Sequence, residues 1–202
     1  GRGMSSGDDF LSNRQFWIKP IGSWARQGDV NDVPGYKANS YGLLLGADGD
    51  VADHVNLGVA FAYASSDVSL SSSATDQDAK VNGYRLIGYG QYKVDDRTRV
   101  GLQADFGVGD TKGRRHINFA AVNSTASSHY DNWNAHVGVG LSRDYPLSSA
   151  TTVTPSARAD YVYFRDDGYS ESGAGPLDLI VKPQTLEQFV LFANAKLTHA
   201  LD

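Results

Sequence analysis

Serine, histidine and aspartate all occur in this chain, so acyl transfer is the first chemistry its residues could perform. That chemistry needs a nucleophile, a base to take its proton and an acid to orient the base. No Gly-x-Ser-x-Gly elbow occurs, and none of the five histidines (His54, His116, His129, His136, His199) stands in a triad motif. They read better as polar groups of loops, turns and an inner wall. Metal chemistry fares no better. His116 and His129 fall in one polar stretch with Asp131 nearby, at a spacing that matches no ligand pattern. Asp166 and Asp167 could attract Ca²⁺ weakly, but there is no EF-hand loop. Cysteine is absent, which excludes a thiolate nucleophile, Cys-ligated zinc and a disulfide framework. Gly-x-Gly recurs at 88–90, 107–109 and 138–140, each time inside an alternating stretch and not at a helix start, so no phosphate cradle is expected. The sequence therefore points to no catalytic residue, no metal and no cofactor.

The elements that would position these groups are strands. Val55, Leu57, Val59, Phe61 and Tyr63 alternate with Asn56, Gly58, Ala60, Ala62 and Ala64. Val100, Leu102, Ala104, Phe106 and Val108 alternate with Gly101, Gln103, Asp105, Gly107 and Gly109, and the pattern returns from Trp133 and from Val153. Four further segments, 16–26, 37–48, 81–93 and 186–201, fit less cleanly, giving eight strands and no helix. The links between them alternate in length. Residues 49–53, 94–97 and 144–150 read as tight turns; 28–35, 66–79, 110–128 and 165–185 read as long polar loops.

This layout is that of an all-β, antiparallel, up-and-down transmembrane barrel, with tight turns at one end and long loops at the other. Most segments reach the 9–11 residues, roughly, that cross a bilayer obliquely. No apolar run is long enough for a membrane helix. Aromatics near strand ends (Trp17, Trp24, Tyr41, Tyr63, Tyr84, Tyr92, Trp133, Tyr161, Tyr163) suggest interfacial girdles. The other parity is rich in Gly and Ala, which would leave the interior unfilled unless a polypeptide occupied it. Lys19, Asp48, Arg85, Asp105, Arg158 and Asp160 are the charged residues expected to line that lumen. A net charge of −5 argues against nucleic acid as a partner.

The segments 16–24 (FWIKPIGSW), 40–50 (SYGLLLGADGD), 58–63 (GVAFAY) and 88–92 (GYGQY) resemble the opening strands of the autotransporter (type V secretion) β-domain. The likeness continues through 113–120 (GRRHINFA), 131–140 (DNWNAHVGVG) and 153–161 (VTPSARADY), in the order the family shows. The resemblance implies an outer-membrane barrel of about twelve strands. A helix threads that barrel and leads to an upstream passenger. It also implies a Gram-negative outer membrane location, with membrane lipid, the chain's own passenger and linker helix, and the outer-membrane assembly machinery as partners. Residues 1–14 then read as a tag or a remnant of the linker helix, and 15–202 as a partial barrel, truncated at its C-terminus, since the usual terminal aromatic is replaced by Leu201 and Asp202. Some family members cut their passenger free with lumen acids; Asp48 or Asp105 would be the conceivable groups, but no catalytic role is assigned. Two rival readings are an outer-membrane esterase or protease barrel and a small structural barrel of the OmpA type.

Overall fold

A computed structural model of the chain describes residues 14–28, 35–71, 75–119 and 122–199. The proposed tag or linker remnant lies almost wholly outside them. Eight long strands run in chain order: β1 (Arg14–Gln27), β2 (Gly35–Ala52), β3 (Val55–Ser71), β4 (Thr75–Lys93), β5 (Thr98–Phe119), β6 (Val122–Arg143), β7 (Thr151–Asp166) and β8 (Gln184–His199). Each pairs antiparallel with its neighbour in sequence, so the sheet order is the chain order. Among the described residues β1 and β8 each pair on one side only. The register is continuous apart from one irregularity between Asp50 and Ala52, beside the turn at His54, whose φ is 67°.

Because the register is continuous, the pleat sorts side chains into two faces across all eight strands. One face carries the row Ile18, Leu45, Phe61, Leu86, Phe106, Ala135 and Tyr163. The next row holds Phe16, Ala47, Val59, Gly88, Ala104, Val137, Tyr161 and Phe189. The large apolar side chains of this face are exposed: Leu86 is 58% accessible, Val137 56% and, in the row below, Leu102 59%. In a water-soluble sandwich they would be its core. Here the few buried hydrophobic residues among those described are Ala60, Ile117, Ala126 and Ala174.

The apolar belt has sharp edges. On β3 it runs from Val55 to Tyr63, nine residues, the length that crosses hydrocarbon obliquely. Its far edge is a line of aromatics: Tyr63 packs on Tyr84 at 5.1 Å between ring centroids, and Trp133 packs on Phe106 at 5.9 Å and on Tyr163 at 4.8 Å. Beyond that line the same face turns polar, with Ser65, Asn82, Asp110 and Asp131 in the next row.

Two expectations are corrected here. Residues 66–79 and 110–128 are not long loops, since β3 to β6 continue as a ladder well past the belt. Only 72–74 and 120–121 separate those strands. Above the belt the outer face meets water and the other is covered only by the link between β7 and β8, so the strands carry Ser, Asp and Lys and look like loops by composition. Trp17 is not a girdle residue. It faces away from Phe16 and Ile18, onto the small-residue face.

Candidate functional site

The second face carries the small residues and a set of charged ones. Lys19, Asp48, Arg85, Asp105, Arg158 and Asp160 all fall on it by register, and the cross-strand row Lys19, Leu44, Ala62, Arg85, Gly107 and Asn134 shows how the pleat aligns them. Four of the six come together. Arg85 donates to Asp105 Oδ1 and to Asn134 Oδ1. Gln103 Nε2 donates to Asp105 Oδ2 at 3.0 Å. His136, directly opposite Asp105, places Nδ1 2.6 Å from Asp105 Oδ2 and Nε2 2.7 Å from Asp160 Oδ1. Arg158 Nε closes the array with bonds of 2.9 and 2.8 Å to the two Asp160 oxygens. The result is a chain of alternating charge across β4 to β7. Both ring nitrogens of His136 can donate only when the ring carries two protons. Both nitrogens are engaged by carboxylates, and no serine hydroxyl is among their hydrogen-bond partners within the described residues.

Asp48 belongs to a separate cluster. Its Oδ2 accepts from Trp17 Nε1 at 3.0 Å and from the Tyr89 hydroxyl. Glycines make this arrangement fit. Trp17 stands directly opposite Gly46 and Tyr89 directly opposite Gly58, and each ring lies over its glycine. A Cβ on Gly46 would come within 2.4 Å of the Trp17 ring, and one on Gly58 within 2.2 Å of the Tyr89 ring. Gly138 is covered in the same way by Arg158 and Asp160. Part of the Gly-rich wall is therefore filled by the chain's own long side chains lying flat on it. Gly101, by contrast, has nothing within 4 Å of where a Cβ would be. Lys19 makes no hydrogen bond or ion pair among the described residues, so it stands apart from both clusters.

Sequence reasoning read His136 only as one of several loop, turn or inner-wall histidines, gave Gln103 and Asn134 no role beyond their parity, set Trp17 in the girdle and passed over Tyr89. The first three were detectable, since they share the parity of Asp105 or Gly138. The two aromatics needed the register. The metal reading is also redrawn: His116 and His129 sit on paired strands β5 and β6, and among the described residues no group of three or more His, Cys, Asp or Glu could hold a metal ion.

The two ends of the sheet are built differently. At the short-turn end, Asp95 accepts from the Arg97 and Thr98 N–H groups at 2.8 Å each, and Arg99 Nη2 donates to both Asp144 oxygens at 2.8 and 2.7 Å. Both carboxyls are held below the usual aspartate range, Asp95 first by the Arg97 N–H and Asp144 first by the Thr154 hydroxyl. At the other end the link between β7 and β8 folds back over the small-residue face. Ser172 bridges to Ser127, Tyr169 stacks on Tyr130 at 4.7 Å, and Arg115 Nη2 donates to Glu171 at 2.6 Å and to the Leu177 carbonyl at 2.8 Å. Gly173, at φ 109°, makes the backbone approach to Thr125 that a side chain would block.

Comparison with known proteins agrees with this architecture. A family profile described as "Autotransporter beta-domain" matches residues 16–202. The chain is 24% identical over 200 residues to outer membrane protein B of Rickettsia rickettsii, covering 96% of this chain and 12% of that protein. It is 28% identical over 205 residues to outer membrane protein A of the same organism, covering 96% of this chain and 9% of that one. The chain thus spans about a tenth of the length of these relatives. Among solved structures, the translocator domain of autotransporter NalP from Neisseria meningitidis superposes with a TM-score of 0.68 at 17% identity, covering 97% of this chain and 65% of that one.

Proposed function

Since this chain belongs to the autotransporter β-domain family, we propose that it forms the membrane wall through which an upstream passenger of the same protein is exported and by which that passenger is held at the cell surface. Its location is the outer membrane of a Gram-negative cell. The observation that carries the reading is the inversion of the sheet: exposed Val, Leu and Phe on one face, charge and glycine on the other. Hydrocarbon takes the first face and a hydrated interior takes the second.

Lys19, Asp48, Arg85, Asp105, Arg158 and Asp160 then line the lumen. The free edges of β1 and β8 are closed by further pairing, because an open ladder cannot stand in lipid. The tall end faces outward and the tight turns face the periplasm. The work is transport and not catalysis: the wall offers an extended chain or linker helix a polar path, with insertion assisted by the outer-membrane assembly machinery.

The test uses the full-length protein in cells, with the paired substitutions Leu102→Arg and Phe106→Arg on the belt face. Charges at mid-membrane cost about 2–4 kcal/mol each, so the doubly substituted protein should fail to insert. Protease added to intact cells should then find no passenger. A passenger still exposed at the surface in that variant, or native protein that stays soluble without detergent, would overturn the proposal.

A further inference from the structure

The belt face continues above the aromatic line as a charged surface that the export reading does not use. There Lys80 and Lys112 stand directly opposite one another on β4 and β5. Like charges in directly opposed positions disfavour pairing. Neither lysine, nor Arg114 beside them, makes a hydrogen bond or ion pair among the described residues. Arg26 and Lys37 repeat the same cation-to-cation pairing on β1 and β2. Around the groove lysines, Asp67 stands opposite Lys80 and Asp78 opposite Arg114, so of these three cations Lys112, between Lys80 and His129, is the one with no carboxylate directly opposite it.

Lys80, Lys112 and Arg114 line a groove of about 540 Å³ together with His129, Asp67 and Asp78. Lys80 lies four residues along β4 from Tyr84 of the aromatic line, which is about 13 Å along the strand. On a tilted strand that height is the headgroup layer and not the hydrocarbon.

We propose that this groove binds the phosphate of a phosphorylated glycolipid in the surrounding leaflet, with Lys80, Lys112 and Arg114 donating to phosphate oxygens and Asp67 and Asp78 accepting from sugar hydroxyls. Lysine and arginine make charge-assisted bonds to phosphate, and the anion removes the repulsion between the opposed lysines. The proposal rests on the membrane reading above, because the groove has this height only if the belt is in lipid.

The experiment uses the full-length protein and has two stages. Insertion into phosphatidylethanolamine vesicles comes first, read by heat-modifiable migration on a gel. Failure there overturns the membrane reading together with the groove. Protein that inserts is then moved to detergent, and native mass spectrometry compares a bis-phosphorylated glucosamine glycolipid with its dephosphorylated form. The phosphorylated lipid should bind about tenfold more tightly, and the K80Q/K112Q variant should lose that preference. K196Q, at the short-turn end, serves as the control and should keep it. Equal binding of the two lipids, or an undiminished preference in K80Q/K112Q, overturns the groove alone. Full displacement of the glycolipid by millimolar inorganic phosphate also overturns it, since the site would then be for the free anion.

Discussion

The small-residue face is held together in two different ways. Across β1 to β4, Asp48 is satisfied by neutral donors, the Trp17 N–H and the Tyr89 O–H, each ring resting on a glycine. Across β4 to β7, Asp105 and Asp160 are satisfied by Arg85, His136 and Arg158. The first cluster depends on shape, since the donors reach Asp48 only because Gly46 and Gly58 leave room for the rings. The second depends on charge balance, since each carboxylate neutralises cations that would otherwise repel. The two halves of one wall should therefore fail differently when broken.

The largest effect is expected in the charged half. Asp105 is 7% exposed and touches Arg85, Gln103 and His136. Asp105→Leu leaves two cations facing each other, and removing one partner of a buried array costs about 3 kcal/mol. The midpoint of urea unfolding in detergent, read by gel mobility, should fall accordingly. A midpoint unchanged from the parent would mean that the array is solvated and contributes little. Next comes Gly58→Val in the shape-dependent half. The added carbons displace the Tyr89 ring and strip a donor from Asp48, for about 2 kcal/mol. The same substitution at Gly101, where nothing approaches, should be nearly neutral. If both glycines respond alike, ring seating is not what holds this half.

The charged half was largely readable from the sequence, and the shape-dependent half was not. Asp105, Arg158 and Asp160 fall within clean alternation, so their face follows from parity alone. On β1 the run Phe16, Trp17, Ile18 is apolar at every position, so parity cannot tell which ring points inward. What turns Trp17 inward is Gly46 opposite it, a relation between residues far apart in the chain that exists only once the register is set. The upper ladder was missed for a different reason. Backbone pairing holds 110–119 and 122–131 together, and it leaves little hydrophobic signature when one face is wet and the other meets only the β7–β8 link, over Ile117 and Ala126. Strand identity within the belt was legible because lipid imposes it; beyond the belt nothing imposes it.

A smaller substitution sharpens the contrast further. Tyr89→Phe keeps the ring on Gly58 and removes only the hydroxyl donor to the Asp48 carboxylate, which should cost about 1.5 kcal/mol. Because the lost bond involves a neutral donor, the cost should be the same in low and high salt. Asp105→Asn removes charge in the other half, and its cost should shrink as salt screens the cations it exposes. Equal salt dependence in the two variants would erase the distinction between the clusters.

The smallest effect lies outside the wall, where the same charge logic meets water. Glu171 and Arg115 hold the β7–β8 link onto the upper ladder, with side chains 7% and 18% exposed. The Glu171 carboxyl is held below the ordinary glutamate range, first by the Arg115 hydrogen bonds and, against the opposing effect of burial, by the Leu179 N–H and the Arg115 charge. A carboxyl lowered on folding adds stability above its unfolded pKa, and that stability is lost as pH falls through the lowered folded value. The link should therefore stay closed at neutral pH and loosen only in acid, below the unfolded glutamate pKa of about 4.3. Amide exchange at Glu171, Ser172 and Leu179 reads this directly. Glu171→Gln should raise exchange at neutral pH by the equivalent of about 1 kcal/mol and abolish the acid transition, while the belt strands stay protected. Acid loosening that persists in Glu171→Gln would place the switch elsewhere, and charge pairing would then not govern this end as it governs the Asp105 array.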